Sequence, residues 1–279
     1  MGIGLTGFMH TWPDNPAYNQ GADLFDAGHF VASVVAFQRA ITLQPRRARI
    51  YTNHARALAA CGRLDEAGDA AERGVSLAEP GDLYPFAQLA WIWEDQGRHA
   101  EIAEIAERLL QHGSWTVEQR IELVTARVIA LVHDGDSHQA VLVAQREAAH
   151  AKEPRFFDAY AMALVGQERW GEALAAVQRS RGHGADTDRV VHRIRAIEQM
   201  LQAMKQKLQR AEEGIAQTPE AWEAHHELGR ILFQCGELER AETAFAMARR
   251  LHPDDLSNGG ILSKQEMDCM LALATRRYS

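Results

Sequence analysis

Thirteen histidines and three cysteines in a chain of 279 residues are the first place to look for metal or nucleophilic chemistry. The densest group is His225-His226-Glu227. Neighbouring residues on a helix point about 100° apart, so this pair cannot close on one ion, and no His-x-x-x-His partner shares either face. Cys61, Cys235 and Cys269 are widely separated, odd in number and free of any Cys-x-x-Cys spacing. They suggest neither a thiolate metal site nor a disulfide framework, and they fit a reducing cytoplasm. A phosphate-cradling Gly-rich loop, a Gly-x-Ser-x-Gly elbow and a Cys/His/acid constellation are all missing. The expectation is a protein without catalytic residues, cofactor or metal, and therefore not an enzyme.

With chemistry set aside, the elements come into view. Alanine is abundant, aromatics make up 7% of the chain, and β-branched runs are nearly absent. Those are helix-forming preferences, and they predict an all-α protein. The formal net charge of -8 opposes a general nucleic-acid binder, which needs clustered cations on phosphate. Lysine occurs only at 152, 205, 207 and 264, an Arg bias that suggests a GC-rich, bacterial coding sequence. The opening "MGIGLTGFMHTW" lacks the basic start and apolar length of a signal peptide, and no later stretch has the length of a membrane span. The M-G-x-x-x-[ST] pattern at Met1 to Thr6 is permissive and applies only to a eukaryotic source. Soluble, cytoplasmic and without membrane or nucleic-acid partners is the resulting expectation.

The sequence repeats itself. "GHFVASVVAFQRAITLQP" at 28 to 45 is echoed by "GELERAETAFAMARRLHP" at 236 to 253. Gly28 and Gly62, Ser33 and Ala67, Phe37 and Ala71, and Leu43 and Leu77 are each 34 residues apart. Later turns fall at Gly97, Gly135 and within "GQERWGEAL". Small residues at fixed places let paired helices approach closely, Gly turns the chain, and Pro ends the second helix. Asp82 before "LYPF", Thr116 with Gln119, and Thr218 before Pro219 read as helix starts in the same register. The register falters from Asp186 to Gln217, where no Gly or Pro marks a turn. There Val190, Ile194, Ile197, Leu201, Met204, Leu208, Ala211 and Ile215 step by four and three, as one helix or two in phase, with coiled-coil pairing also permitted. Ser263 with Glu266 opens a last helix bearing Met267, Met270, Leu271 and Ala274.

These units resemble the tetratricopeptide repeat. The best match carries Leu228, Gly229, Leu232, Gly236, Ala241, Phe245, Ala248 and Pro253; the first carries Gly21, Gly28, Phe37, Ala40 and Pro45, with Ser33 where the family usually has Ala. The resemblance implies a right-handed α-solenoid of about seven helical hairpins, the sixth degenerate, with a C-terminal capping helix. Its parts are a lead-in at 1–13, five hairpins over 14–182, a degenerate repeat or long heptad-patterned helix at 183–217, a well-matched repeat at 218–255, and a turn with capping helix at 256–279.

Such a solenoid offers a concave groove lined by the first helix of each pair. In this register the groove carries Tyr18 and Asn19, then Arg49, Asn53 and Arg56, then Tyr84, Gln88, Trp91 and Asp95, whereas Trp93 falls in the core. Asn can bond both edges of an extended peptide, Arg can fork a carboxylate, and aromatics add contact area at low entropic cost. The expected partner is a protein or peptide with an acidic or C-terminal carboxylate feature. Family members that clamp the tails of cytosolic heat-shock chaperones use Lys, Asn and Arg on successive first helices, and of that set only Asn53 is matched here. The expected function is a non-catalytic adaptor or scaffold. The alternatives are an accessory subunit that presents a substrate protein to a separate enzyme, docked through 186–217, and an enzyme with an unrecognised site. Self-association through 186–217 is a further expectation.

Overall fold

In the computed structural model, residues 14–184, 188–252 and 264–278 are described, and among them there are fourteen helices and no strand. The result is an all-α helical repeat fold. The chain forms two compact units, 1–126 and 127–279.

In the first unit, α1 (Pro16–Asp26) pairs with α2 (Phe30–Leu43), α3 (Ala48–Ala60) with α4 (Leu64–Ser76), and α5 (Tyr84–Asp95) with α6 (His99–His112). Asn15 shows how one residue ties a pair together. Its Oδ1 accepts the Tyr18 amide hydrogen at 3.0 Å and caps α1, while its Nδ2 donates to the Ala40 carbonyl at 3.2 Å near the end of α2. The close approach of the pair is set by Gly21, where a Cβ would stand 2.8 Å from the Phe37 ring. Ser33, the exception to the usual Ala, donates its hydroxyl to the Gly21 carbonyl at 2.7 Å, so its polarity is satisfied in the interior. The cap pattern at Thr116 and Gln119 is present as a reciprocal pair, each backbone N–H donating to the other's side chain at 3.1 and 3.3 Å.

His54 of α3 is 8% exposed, and its pKa is pushed down to about 4 by burial first, with the Arg63 charge adding to the effect and Glu66 opposing it. The folded state thus holds His54 neutral where the unfolded chain, titrating near 6.5, takes a proton. Its neutral form contributes fully above pH ~6.5, and stability falls as pH drops from there toward ~4, by on the order of 2 kcal/mol at pH ~5. Urea midpoints of wild type and His54→Gln across this range check the assignment. The wild type is expected to lose stability more steeply, and parallel curves would assign the acid sensitivity elsewhere.

α7 (Val117–His133) contains the division between the units. The second unit continues with α8 (Ser137–Glu147), α9 (Pro154–Gly166), α10 (Trp170–Gly182), α11 (Asp188–Gln217), α12 (Trp222–Cys235), α13 (Leu238–Leu251) and α14 (Lys264–Tyr278). The hairpin α12/α13 repeats the geometry of α1/α2: a Cβ on Gly229 would stand 2.6 Å from the Phe245 ring. Where the register leaves one or two helices open, α11 is a single helix of 30 residues. It packs against α10 and α12. At 1.5 Å per residue α11 is ~45 Å long, α10 ~20 Å and α12 ~21 Å, so the two shorter helices lie end to end along the longer one.

At their junction, a Cβ on Gly171 would overlap the Cys235 carbonyl oxygen, so only glycine admits this contact. The α12 C-terminus meets the α10 N-terminus with helix dipoles head to tail, a favourable alignment. The same junction explains the one non-glycine residue with positive φ among those described, Glu168, at φ 58, where the other hairpin turns, Gly28 and Gly236 among them, have glycine. Its carboxylate accepts from Gln234 Nε2 of α12 at 2.6 Å, a bond that offsets the left-handed strain.

One helix reading needs correction. Thr218 does not cap α12, which starts at Trp222; its hydroxyl donates back to the Gly214 carbonyl at 3.1 Å and closes α11 instead. Met267, Met270, Leu271 and Ala274 lie on the exposed side of α14, while Glu266, Cys269, Ala272 and Leu273 are buried. The Arg249–Glu266 ion pair at 3.0 Å and the small Cys269 and Ala272, which admit close packing on α13, turn the helix that way. The Ser263 cap, the Pro253 turn and the Met1 to Thr6 pattern lie outside the described residues.

Candidate functional site

The first helices of three successive pairs bring five of the nine expected contact residues into one cluster. Asn53 of α3 donates from Nδ2 to the Tyr18 hydroxyl of α1 at 2.8 Å, and the Tyr84 hydroxyl of α5 donates to Asn53 Oδ1 at 3.2 Å. One side-chain amide is shared by tyrosines from the helices before and after it. Arg56 then donates to the Tyr84 hydroxyl at 3.1 Å, and the Arg49 guanidinium lies 5.2 Å from the Tyr84 ring centroid. Helical spacing explains the grouping, since 49, 53 and 56 fall on one face of α3 at steps of four and three.

Depth divides the cluster. Tyr18 and Asn53 are each 2% exposed, so they act from beneath the surface and fix the three helices in register. Burial raises the Tyr18 phenol pKa, against the opposing charge of Arg49, which keeps the hydroxyl protonated. Arg49, Arg56 and Tyr84 are half-buried, as are Asn19 and Gln88. Trp91 is 44% exposed and Asp95 is exposed, whereas Trp93 is buried. Phe25, which the sequence reading missed, supports Arg56 from 5.0 Å below its guanidinium. It lies seven residues after Tyr18, hence on the same face of α1, and that spacing is the signal that points to it. The guanidinium groups of Arg49 and Arg56 thus lie over the rings of Tyr84 and Phe25, and the Trp91 indole of α5 is exposed.

The other expectations resolve into structure. His225 meets the Pro219 carbonyl at 2.9 Å through Nε2, His226 packs on Trp222 and Phe245, and Glu227 pairs with Arg230 at 2.7 Å. Among the described residues no group of three His, Cys, Asp or Glu side chains could hold a metal ion, and no helix is long and apolar enough to cross a membrane. The α11 stripe is taken up inside the second unit: Val190, Ile197 and Met204 are buried, and Leu208 packs on the α12/α13 core. Arg193 on the same helix is ion-paired to Asp158 of α9. Four of the eight stripe residues thus have intrachain packing partners, while Ile194, Leu201, Ala211 and Ile215 are only partly buried. A cleft of about 220 Å³ between α9, α10 and the end of α12 is lined by Phe157, Tyr160, Arg179, Glu172 and Cys235. Its charged groups are engaged, Arg179 over the Phe157 ring and Glu172 with a nearly buried Arg169.

The family of the tetratricopeptide repeat matches residues 18–85 and 203–255. Among solved structures, a tetratricopeptide repeat protein from Parabacteroides merdae is 14% identical, with 85% of this chain and 92% of that one covered and a TM-score of 0.53. The C-terminal part of a TPR repeat-containing protein from Cytophaga hutchinsonii is 12% identical over 90% of this chain and 98% of that one, at a TM-score of 0.49. YrrB, described as a TPR protein with an unusual peptide-binding site, is 15% identical over 64% of this chain and 90% of that one, also at 0.49. The first of these likenesses speaks to fold alone; the other two are too loose to argue from. No curated protein matches the sequence.

Proposed function

This chain belongs to the tetratricopeptide-repeat family, whose repeats serve as protein–protein interaction scaffolds, and on that premise we propose that it is a non-catalytic adaptor holding an extended segment of a partner protein across α1, α3 and α5. The observation that carries the reading is Asn53 shared between Tyr18 and Tyr84. A buried amide spent on aligning three helices leaves Arg49, Arg56, Tyr84 and Trp91 in one preorganised row, and preorganisation reduces the entropic cost of binding. In this reading Tyr18 and Asn53 position the row, Arg49 and Arg56 meet an acidic or carboxylate group, Asn19, Gln88 and Asp95 bond the segment's polar edges, and Trp91 is the anchor. A cytoplasmic setting suits the three free cysteines, of which burial raises the Cys235 thiol pKa and pushes that of Cys269 up to about 11, so neither is poised as a nucleophile.

Affinity capture from cells with tagged wild type, Trp91→Ala and Arg56→Glu tests the row. Both variants are expected to keep wild-type helicity and to lose ten-fold or more of the captured partner, since truncating a central aromatic or reversing a contact charge costs ~2 kcal/mol or more. Two folded variants that capture the same proteins as wild type, in equal amounts, would remove this face from consideration.

A further inference from the structure

Between residues 27 and 64 there are six arginines and not one Asp or Glu, in a chain that carries 38 acidic residues and a net charge of -8. The stretch folds as α2, its following loop and α3. Arg46 and Arg47 stand exposed in the loop, and Arg49 occupies the first turn of α3, where the unpaired N–H groups of the helix end add partial positive charge. The loop is a built feature. Asn15 Nδ2 donates to the Gln44 side chain at Oε1 at 3.3 Å, and the Tyr51 hydroxyl of α3 donates to the Pro45 backbone carbonyl at 3.2 Å, next to the two arginines. Among the described residues no ion pair joins Arg46 or Arg49 to a carboxylate, whereas Arg63, at the far end of α3, is held by Glu66 at 2.7 Å. Asp82, the acid beside the start of α5, accepts the Tyr84 amide hydrogen at 3.0 Å.

We propose that Arg46, Arg47 and Arg49 form an acid-binding edge that takes a run of Asp and Glu side chains in the partner protein. The inference rests on the reading that the face of α1, α3 and α5 receives a protein segment, because Arg49 stacked on Tyr84 joins the loop to that face. The acidic run crosses the N-terminal end of α3, and the partner residues beyond it reach Trp91. Carboxylates suit the edge better than a nucleic acid does. A tight nucleic-acid site neutralises about six to ten phosphates, more than three arginines supply, and the acidic excess elsewhere in the chain repels a long polyanion.

The test is fluorescence anisotropy of the full chain with a labelled oligo-glutamate peptide, beside an oligothymidylate of equal charge. Wild type is expected to bind the peptide with an affinity that falls as salt rises. Arg46→Glu/Arg47→Glu is expected to weaken it about ten-fold or more, while Arg195→Glu/Arg210→Glu, the same charge change on exposed positions of α11, leaves it unchanged. Arg46→Gln/Arg47→Gln repeats the measurement should the reversed pair misfold. Equal peptide affinity in wild type and a folded loop variant overturns the proposal, as does tighter binding of the oligothymidylate. The two readings fail separately: capture indifferent to Trp91→Ala and Arg56→Glu, with peptide binding still lost in the loop variant, removes the row and leaves the acid-binding edge.

Discussion

Phe245→Ala is expected to lower the unfolding free energy by about 3–5 kcal/mol, the range for truncating a buried aromatic in a core that cannot collapse around the gap. The ring is 2% exposed and rests on the helix at Gly229, a contact so close that a Cβ there would stand 2.6 Å away. It lies 5.4 Å from the His226 ring and belongs to a cluster with Leu232, Leu238 and Ala241. Cys269, Ala272 and Leu273 of α14 share that cluster, so the cavity opens under the last helix as well. Urea denaturation supplies the magnitude, and amide exchange its location, with α12, α13 and α14 deprotected together. A loss below about 1 kcal/mol would show that the pair is not close-packed in solution.

Gly171→Val acts on backbone and not on a side chain, which leaves no rotamer to absorb the clash. The added atoms would occupy the space of the Cys235 carbonyl, so α10 and α12 must separate at their junction. Overpacking of this kind costs ~1–3 kcal/mol where neighbours yield, and the upper end is expected here, together with loss of the Glu168–Gln234 bond and of the dipole alignment. The signature is local: exchange should rise at the start of α10 and the end of α12 ahead of global unfolding, while the first unit keeps its protection. A variant as stable as wild type, with unchanged exchange at both helix ends, would contradict the end-to-end arrangement.

The hairpins were legible because their determinants are local. Gly21 with Phe37 and Gly229 with Phe245 have the same spacing, and one residue pair specifies one contact. The face of the candidate site was legible for the same reason, since helical spacing assigns direction. Depth was not. Tyr18 and Asn53 have polar tips that mark them as surface groups, and they are buried because each satisfies the other, a pairing across 35 residues that no local pattern encodes. The Gly171 junction is likewise a meeting of segments far apart in sequence, and Glu168 conceals it by standing where the register expects glycine. For α14 the sequence names the apolar residues without a facing, and the structure turns Cys269, Ala272 and Leu273 inward, with Glu266 paired to Arg249 beside them.

The single span of α11 also has a consequence of parity. A hairpin is two passes and returns the chain to the end it left, whereas α11 is one pass. After it, α12 runs opposite to α9, though both are first helices of their pairs. The last hairpin of the second unit is thus an inverted copy, and its turn at Gly236 lies against Gly171 and Glu172 at the start of α10. An insertion that restored a bend within α11 would set the count even again, and the closing hairpin would point the other way.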